Sequence, residues 1–171
     1  ILETNGHRFA VDCGMHQGNA EIEKRNWDMD VYEPKKIEFC IITHAHIDHS
    51  GLLPRLVKKG FGGPIYVTPP TKDLLEILLL DSAHIQEMEA QWKSRKKLRN
   101  GDRNVVPLYT QKDALAALPL FSAMKYGAPF SPFPELTVTF RDAGHILGAA
   151  MVEMAVTEDG KTSRIVFSGD I

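Results

Sequence analysis

The chain has 171 residues, 43% hydrophobic and 25% charged, which suits one domain with its own core and leaves too little chain for two. Twenty basic against 22 acidic residues give a formal net charge of −2, so no global basic field advertises a nucleic-acid partner and any such contact must be local. No apolar run approaches the ~18 residues that cross a bilayer, no leader is visible although the chain opens in ILETNG without an initiator methionine, and two cysteines, Cys13 and Cys40, make no disulfide framework, so a reducing, cytoplasmic setting is expected.

Residues 1–12 read as a hairpin, because Asn5-Gly6 suits a type I′ turn in which both central residues take positive φ. Residues 15–36 are polar and irregular. The Ile-rich run 37–43 (IEFCIIT) fits a buried strand. It leads through HAHIDH into a helix, SGLLPRLVKKG, with Ser50 as its cap, Pro54 in or near the first turn and Gly60 past its end. Residues 64–68 (PIYVT) form another strand. A long helix is expected from about Thr71 to about Arg99, burying the face of Leu74, Leu78, Ile85, Met88 and Trp92, ending in the basic KSRKKLR and broken by Gly101. A further helix starts near Thr110, where Thr110 and Asp113 have capping-box spacing, and Pro119 interrupts it. Residues 127–135 (GAPFSPFPE) read as a Pro-rich loop. Three strands follow over 136–140, 148–156 and 163–167, the last two joined at Asp159-Gly160. The fold class is α/β (α+β), with sheets packed against helices. No repeat, low-complexity tract or domain boundary is visible, and no GxGxxG follows a strand.

The chemistry concentrates in His44-Ala45-His46-Ile47-Asp48-His49, which holds three of the seven histidines within six residues. On an extended segment leaving a strand, His44 and His46 lie two apart and project to one side, where they can grip one ion. Asp48 and His49 stand where the chain turns into the helix and can point at a second. Imidazole with carboxylate suits zinc or a similar first-row divalent metal. The plain alternative is a polar loop that happens to be His-rich, but burying four such groups without a cation leaves donors and acceptors to satisfy. His145, in DAGHILG at a strand end and flanked by glycines, and Asp170, in FSGD after another strand, repeat the same device of a ligand at a strand's exit.

These residues resemble a known family. HAHIDH looks like the HxHxDH signature of the metallo-β-lactamase superfamily, and Asp12, His145 and Asp170 match its other motifs in order, over nearly the whole chain. DCGMHQG (12–18), LLLDSAHIQEMEA (78–90), PLYT (107–110) and AGHILGAA (143–150) are closer to its β-CASP branch of RNA-processing nucleases, in particular the bacterial and archaeal RNA-exonuclease type. The resemblance implies an αββα sandwich with metals at one edge between two sheets. It implies that His44, His46 and His145 hold a first zinc, that Asp48 and His49 hold a second, and that Asp170 bridges the two. Asp12 then orients a ligand or supports the metal loop, and Asp12, Asp48, His49 and Asp170 form the catalytic set. In β-CASP enzymes an insertion follows the Asp170 motif and later motifs add a further zinc-ligand histidine. A chain stopping at Ile171 is therefore expected to be a partial domain, 1–171, carrying the front half of the fold and lacking the strand that normally opens it.

The leading expectation is a di-zinc RNA phosphodiesterase, cutting internally or from a 5′ end, with RNA as partner and no membrane. The natural substrate and the oligomeric state, a homo-oligomer included, stay open. One alternative is a metallo-hydrolase of another branch, acting on a thioester, lactam or small phosphodiester. The other is an inactive scaffold that binds RNA or a partner. No serine or cysteine nucleophile is required. Cys13 reads as a small buried residue, Cys40 as core, His84 as a packed or surface residue, His16 as structural and His7 as exposed beside the turn. The run Lys93, Arg95, Lys96, Lys97 and Arg99 reads as a solvated helix end rather than an RNA contact.

Overall fold

The computed structural model describes residues 1–98 and 105–171, with 96–98 described by backbone alone. The first sheet has the order β1 (Leu2–Thr4), β2 (His7–Val11), β3 (Phe39–Ile41), β4 (Ile65–Val67) and β5 (Phe121–Ala123). The β1–β2 pair is antiparallel and the others are parallel. Asn5 and Gly6 take φ of 50° and 79°, the positive pair that a two-residue hairpin turn needs. Parallel neighbours require crossovers, and the helices supply them: α1 (Ala20–Lys24) after β2, α2 (Ile47–Ser50) and α3 (Leu53–Lys58) after β3, and α4 (Pro69–Leu98) and α5 (Gln111–Ala117) after β4. The second sheet is an antiparallel meander of β6 (Phe130–Phe133), β7 (Leu136–Asp142), β8 (Ala150–Glu158) and β9 (Lys161–Phe167).

Alternation along the central strands builds two cores. Ala10, Cys40, Ile42, Ile65 and Val67 face the helices and meet Leu53, Leu56, Leu75, Leu79 and Tyr109. Phe9, Phe39 and Ile41 point the other way, against Phe133, Leu136, Val138, Phe140, Val152 and Met154 of the second sheet. The Phe9 and Phe39 rings stack at 4.7 Å. Such a pair contributes ~0.5–1.5 kcal/mol beyond the area it buries. The layers are thus helices, sheet and sheet, and the exits of β2, β3, β7 and β9 lie at one seam. No described helix is long and apolar enough to cross a membrane.

Several expectations need correction. Residues 15–36 include α1, which Asn19 caps by accepting from the Glu21 and Ile22 amides at 3.0 and 3.1 Å. Ser50 does not cap a helix. It closes α2, and its hydroxyl reaches back to the Ala45 and His46 carbonyls at 3.1 and 2.9 Å. The buried face of α4 is Leu75, Leu79, Ala83 and Ala90, whereas Ile85, Met88 and Trp92 are exposed. Leu74 and Leu78 of the expected face pack partly against the core, and the buried line runs one position further round the helix, through Leu75 and Leu79 to the alanines. The loop expected over 127–135 contains β6, where Pro132 is tolerated because an edge strand has a free side for its missing N–H. The strand β5 has no counterpart among the elements expected from the sequence. His7 is half-buried rather than exposed, its ring stacked on Phe133 at 4.0 Å and its Nδ1 2.8 Å from Glu38. The capping box at Thr110 and Asp113, the turn to 3₁₀ helix over Leu118–Leu120 at Pro119 and the Asp159-Gly160 turn all form. The break expected at Gly101 lies outside the described residues, as do Arg99 and the side chains of Lys96 and Lys97.

Candidate metal centre

The site is built where four strands end. β2 runs out at Asp12, whose φ of +58° places its carboxylate across the exit of β3. The Asp12 Oδ1 accepts from the Thr43 amide at 2.8 Å and Oδ2 from the Thr43 hydroxyl at 2.9 Å. Beyond it, Cys13 and Met15 donate their amides to the His49 and Ile47 carbonyls at 2.7 and 2.9 Å. Gly14 makes this closeness possible, since a Cβ there would lie 1.6 Å from the Asp48 carbonyl oxygen. The segment after β2 therefore cradles the HAHIDH turn from below.

From the exit of β3, His44 is buried and His46 half-buried, with His44 Nε2 3.0 Å from His46 Nδ1. His145 arrives from the other sheet, on the β7–β8 loop. Its Nε2 lies 3.2 Å from the same His46 nitrogen. That loop is clamped by the Thr68 and Thr71 hydroxyls, 2.7 and 2.8 Å from the Gly148 carbonyl, and by Tyr126 donating to the Ala149 carbonyl at 2.8 Å. Asp170 follows β9. Its Oδ2 is 3.7 Å from His145 Nε2 and 4.0 Å from His44 Nε2. One ligand atom each from His44, His46, His145 and Asp170 fit within 4.8 Å of one another.

The other Asp170 oxygen, Oδ1, faces His49 Nε2 at 3.3 Å, and Asp48 Oδ2 stands 4.0 Å from that nitrogen. His49 turns its Nδ1 to Asp12 Oδ2 at 2.8 Å. That hydrogen bond, and then the surrounding carboxylates, hold the His49 pKa above its ordinary value against the cost of burial. His44 moves the opposite way. Burial, with His49 and His46 beside it, lowers it to about 4, so its imidazole is neutral at neutral pH.

The donor set fits a divalent cation. Three imidazole nitrogens meet at 3.0 and 3.2 Å around His46 Nδ1, each able to offer a lone pair when its ring's proton sits on the other nitrogen, with a carboxylate closing the group. His16 and His84 stand outside this cluster, as does His7. Burial, and then Asp12, push the Cys13 thiol up to about 12, which denies it a thiolate at neutral pH. Lys93 pairs with Glu89 at 2.8 Å. Sequence reasoning did not single out Thr43, Gly14 or the Thr68–Thr71 clamp. The only signal for Thr43 is its place immediately before His44.

Residues 1–168 match the metallo-beta-lactamase superfamily domain. The chain belongs to the metallo-β-lactamase superfamily. Among curated members, it is 34% identical over 171 residues to the transcription termination factor FttA of Methanosarcina mazei, covering 99% of this chain and 24% of that one. It is 32% identical over 171 residues to ribonuclease TTHA0252 of Thermus thermophilus, covering 100% of this chain and 34% of that one. The chain thus spans a quarter to a third of the length of these relatives. Solved metallo-β-lactamases share the fold. BJP-1 of Bradyrhizobium japonicum has a TM-score of 0.50 at 22% identity, with 92% of this chain and 50% of that one covered. SMB-1 bound to mercaptoacetic acid has 0.52 at 18%, with 92% and 51% covered.

Proposed function

We propose that the intact protein is a zinc-dependent RNA phosphodiesterase of the β-CASP branch, and that residues 1–171 are part of its catalytic domain. The observation that carries this reading is the meeting of His44, His46, His145 and Asp170 from two sheets at one point. Relatives named a ribonuclease and a transcription termination factor support RNA as the partner. The partial-domain reading is supported by the share of these relatives that the chain spans, 24% and 34%.

His44 Nε2, His46 Nδ1 and His145 Nε2 would hold a first ion. Asp48 and His49 would hold a second, and Asp170, with one oxygen toward each group, would bridge them. Bound there, a pair of divalent cations lowers the pKa of a water towards neutrality and neutralises charge developing at phosphorus. The residues themselves supply placement. Asp12 orients His49 from behind and keeps its Nε2 aimed at Asp170. The buried surroundings of His44 keep its ring neutral and able to donate a lone pair.

The test is hydrolysis of labelled RNA by the intact protein, with and without zinc after chelation, beside a small ester and a lactam. Zinc-restored RNA cleavage is the expected result. Turnover of only the small substrates would move the protein to another branch of the superfamily, and RNA cleavage indifferent to chelation would overturn the assignment.

A further inference from the structure

We propose that Thr43 is a positioning residue of this centre: its hydroxyl accepts from His44 Nδ1–H while donating to Asp12, and so selects the His44 tautomer whose Nε2 is bare toward the ligand cluster. The inference rests on the metal-centre reading above and adds to it a residue outside the ligand set.

The argument is a proton count. A threonine hydroxyl has one hydrogen and two lone pairs, an ionised carboxylate only accepts, and a neutral imidazole carries one N–H. Thr43 Oγ1 lies 2.9 Å from Asp12 Oδ2 and 3.0 Å from His44 Nδ1. Asp12 Oδ1 already takes the Thr43 amide, at 2.8 Å, and Oδ2 also takes His49 Nδ1, at 2.8 Å. The hydroxyl hydrogen therefore serves Asp12, and the hydrogen in the contact with His44 must be the imidazole's own. That leaves His44 Nε2 without a proton, and Nε2 is the atom 3.0 Å from His46 Nδ1. The reverse arrangement would set two oxygens 2.9 Å apart with no hydrogen between them and aim an N–H at the other ligands. Thr43 and His44 are each 1% exposed, so no water is at hand to mend that arrangement.

The same residue touches the pieces that carry the other ligands. Its carbonyl accepts from the Ala150 amide at 2.8 Å, at the end of the His145 loop. Its side chain lies against Gly169, where a Cβ would stand 3.0 Å from Thr43 Cβ. Thr43 thus borders both the His145 loop and the turn that leads to Asp170.

Zinc affinity of the intact protein, measured by competition with a chromophoric chelator, tests this. Thr43→Val keeps the shape and removes the hydroxyl. It should weaken binding by ~10–100-fold, and Thr43→Ser should return it to within about threefold of wild type. Independently, long-range proton–nitrogen correlation on the metal-free wild type at neutral pH should find His44 protonated at Nδ1, and this readout stands even if Thr43→Val does not fold. Wild-type zinc binding matched by a folded Thr43→Val overturns the role of Thr43 alone, as does a proton found on His44 Nε2. Absence of zinc binding by wild type overturns the metal-centre reading and this inference with it.

Discussion

Asp12 and His49 stand 37 residues apart and meet at 2.8 Å, Nδ1 to Oδ2, with the opposite ring nitrogen of His49 left facing Asp170 at 3.3 Å. A carboxylate behind an imidazole fixes both the ring's orientation and its basicity. Because Asp12 also holds Thr43, one side chain aligns both halves of the HAHIDH segment.

Asp12→Asn should keep the fold, since Asn tolerates the positive φ at this position. Metal affinity should fall by ~10–100-fold through loss of the charge behind His49. Chelator competition checks the affinity, and circular dichroism checks the fold.

His46→Ala and Asp170→Asn strike two of the proposed ligands. Several kcal/mol of transition-state charge stabilisation rest on such a centre, so RNA hydrolysis should fall by at least ~10³-fold in each variant. Both residues are outside the two apolar cores. Far-ultraviolet dichroism should therefore be unchanged, and retained turnover in either variant would remove the centre from the mechanism.

Gly14→Ala places a methyl 1.6 Å from the Asp48 carbonyl oxygen, which is backbone and cannot swing aside. The 13–15 segment or the 47–49 turn must shift. A destabilisation of about 1–3 kcal/mol or more is expected in urea unfolding, together with weakened zinc binding.

In the chelated protein His44 and His49 pull stability in opposite directions with pH. The folded-state pKa of His44 is lowered from 6.5 to about 4. As pH falls through that window, the unfolded chain takes a proton that the folded protein refuses, and up to roughly 3 kcal/mol of stability is lost. His49 is raised, so its contribution is complete below the ordinary histidine value of 6.5 and is lost as pH climbs through its folded-state pKa. Urea midpoints should therefore peak near pH 6.5, and His49→Gln should flatten the alkaline side and, because His49 helps to lower His44, soften the acid side as well.

The candidate centre is legible in the sequence where His44, His46, Asp48 and His49 are neighbours along the chain, since spacing alone sets direction there. His145 and Asp170 could be read only as residues at strand exits and through family resemblance, since nothing local says which exits meet. The hairpin turns and the Thr110 cap were legible for the same local reason. Tertiary context decided the rest. β5 and β6 are short strands held by their neighbours, and the buried face of α4 runs through Leu75, Leu79, Ala83 and Ala90 rather than through Ile85, Met88 and Trp92.

His44 and His46 leave one sheet, while His145 and Asp170 leave the other. A cation held by all four would therefore be a stitch across the seam of the sandwich as well as a reagent. Stripping it should let the two layers slide before either layer unravels. Amide exchange after chelation would then quicken first at the strand ends bordering the ion and last in the middle of β3 and β8.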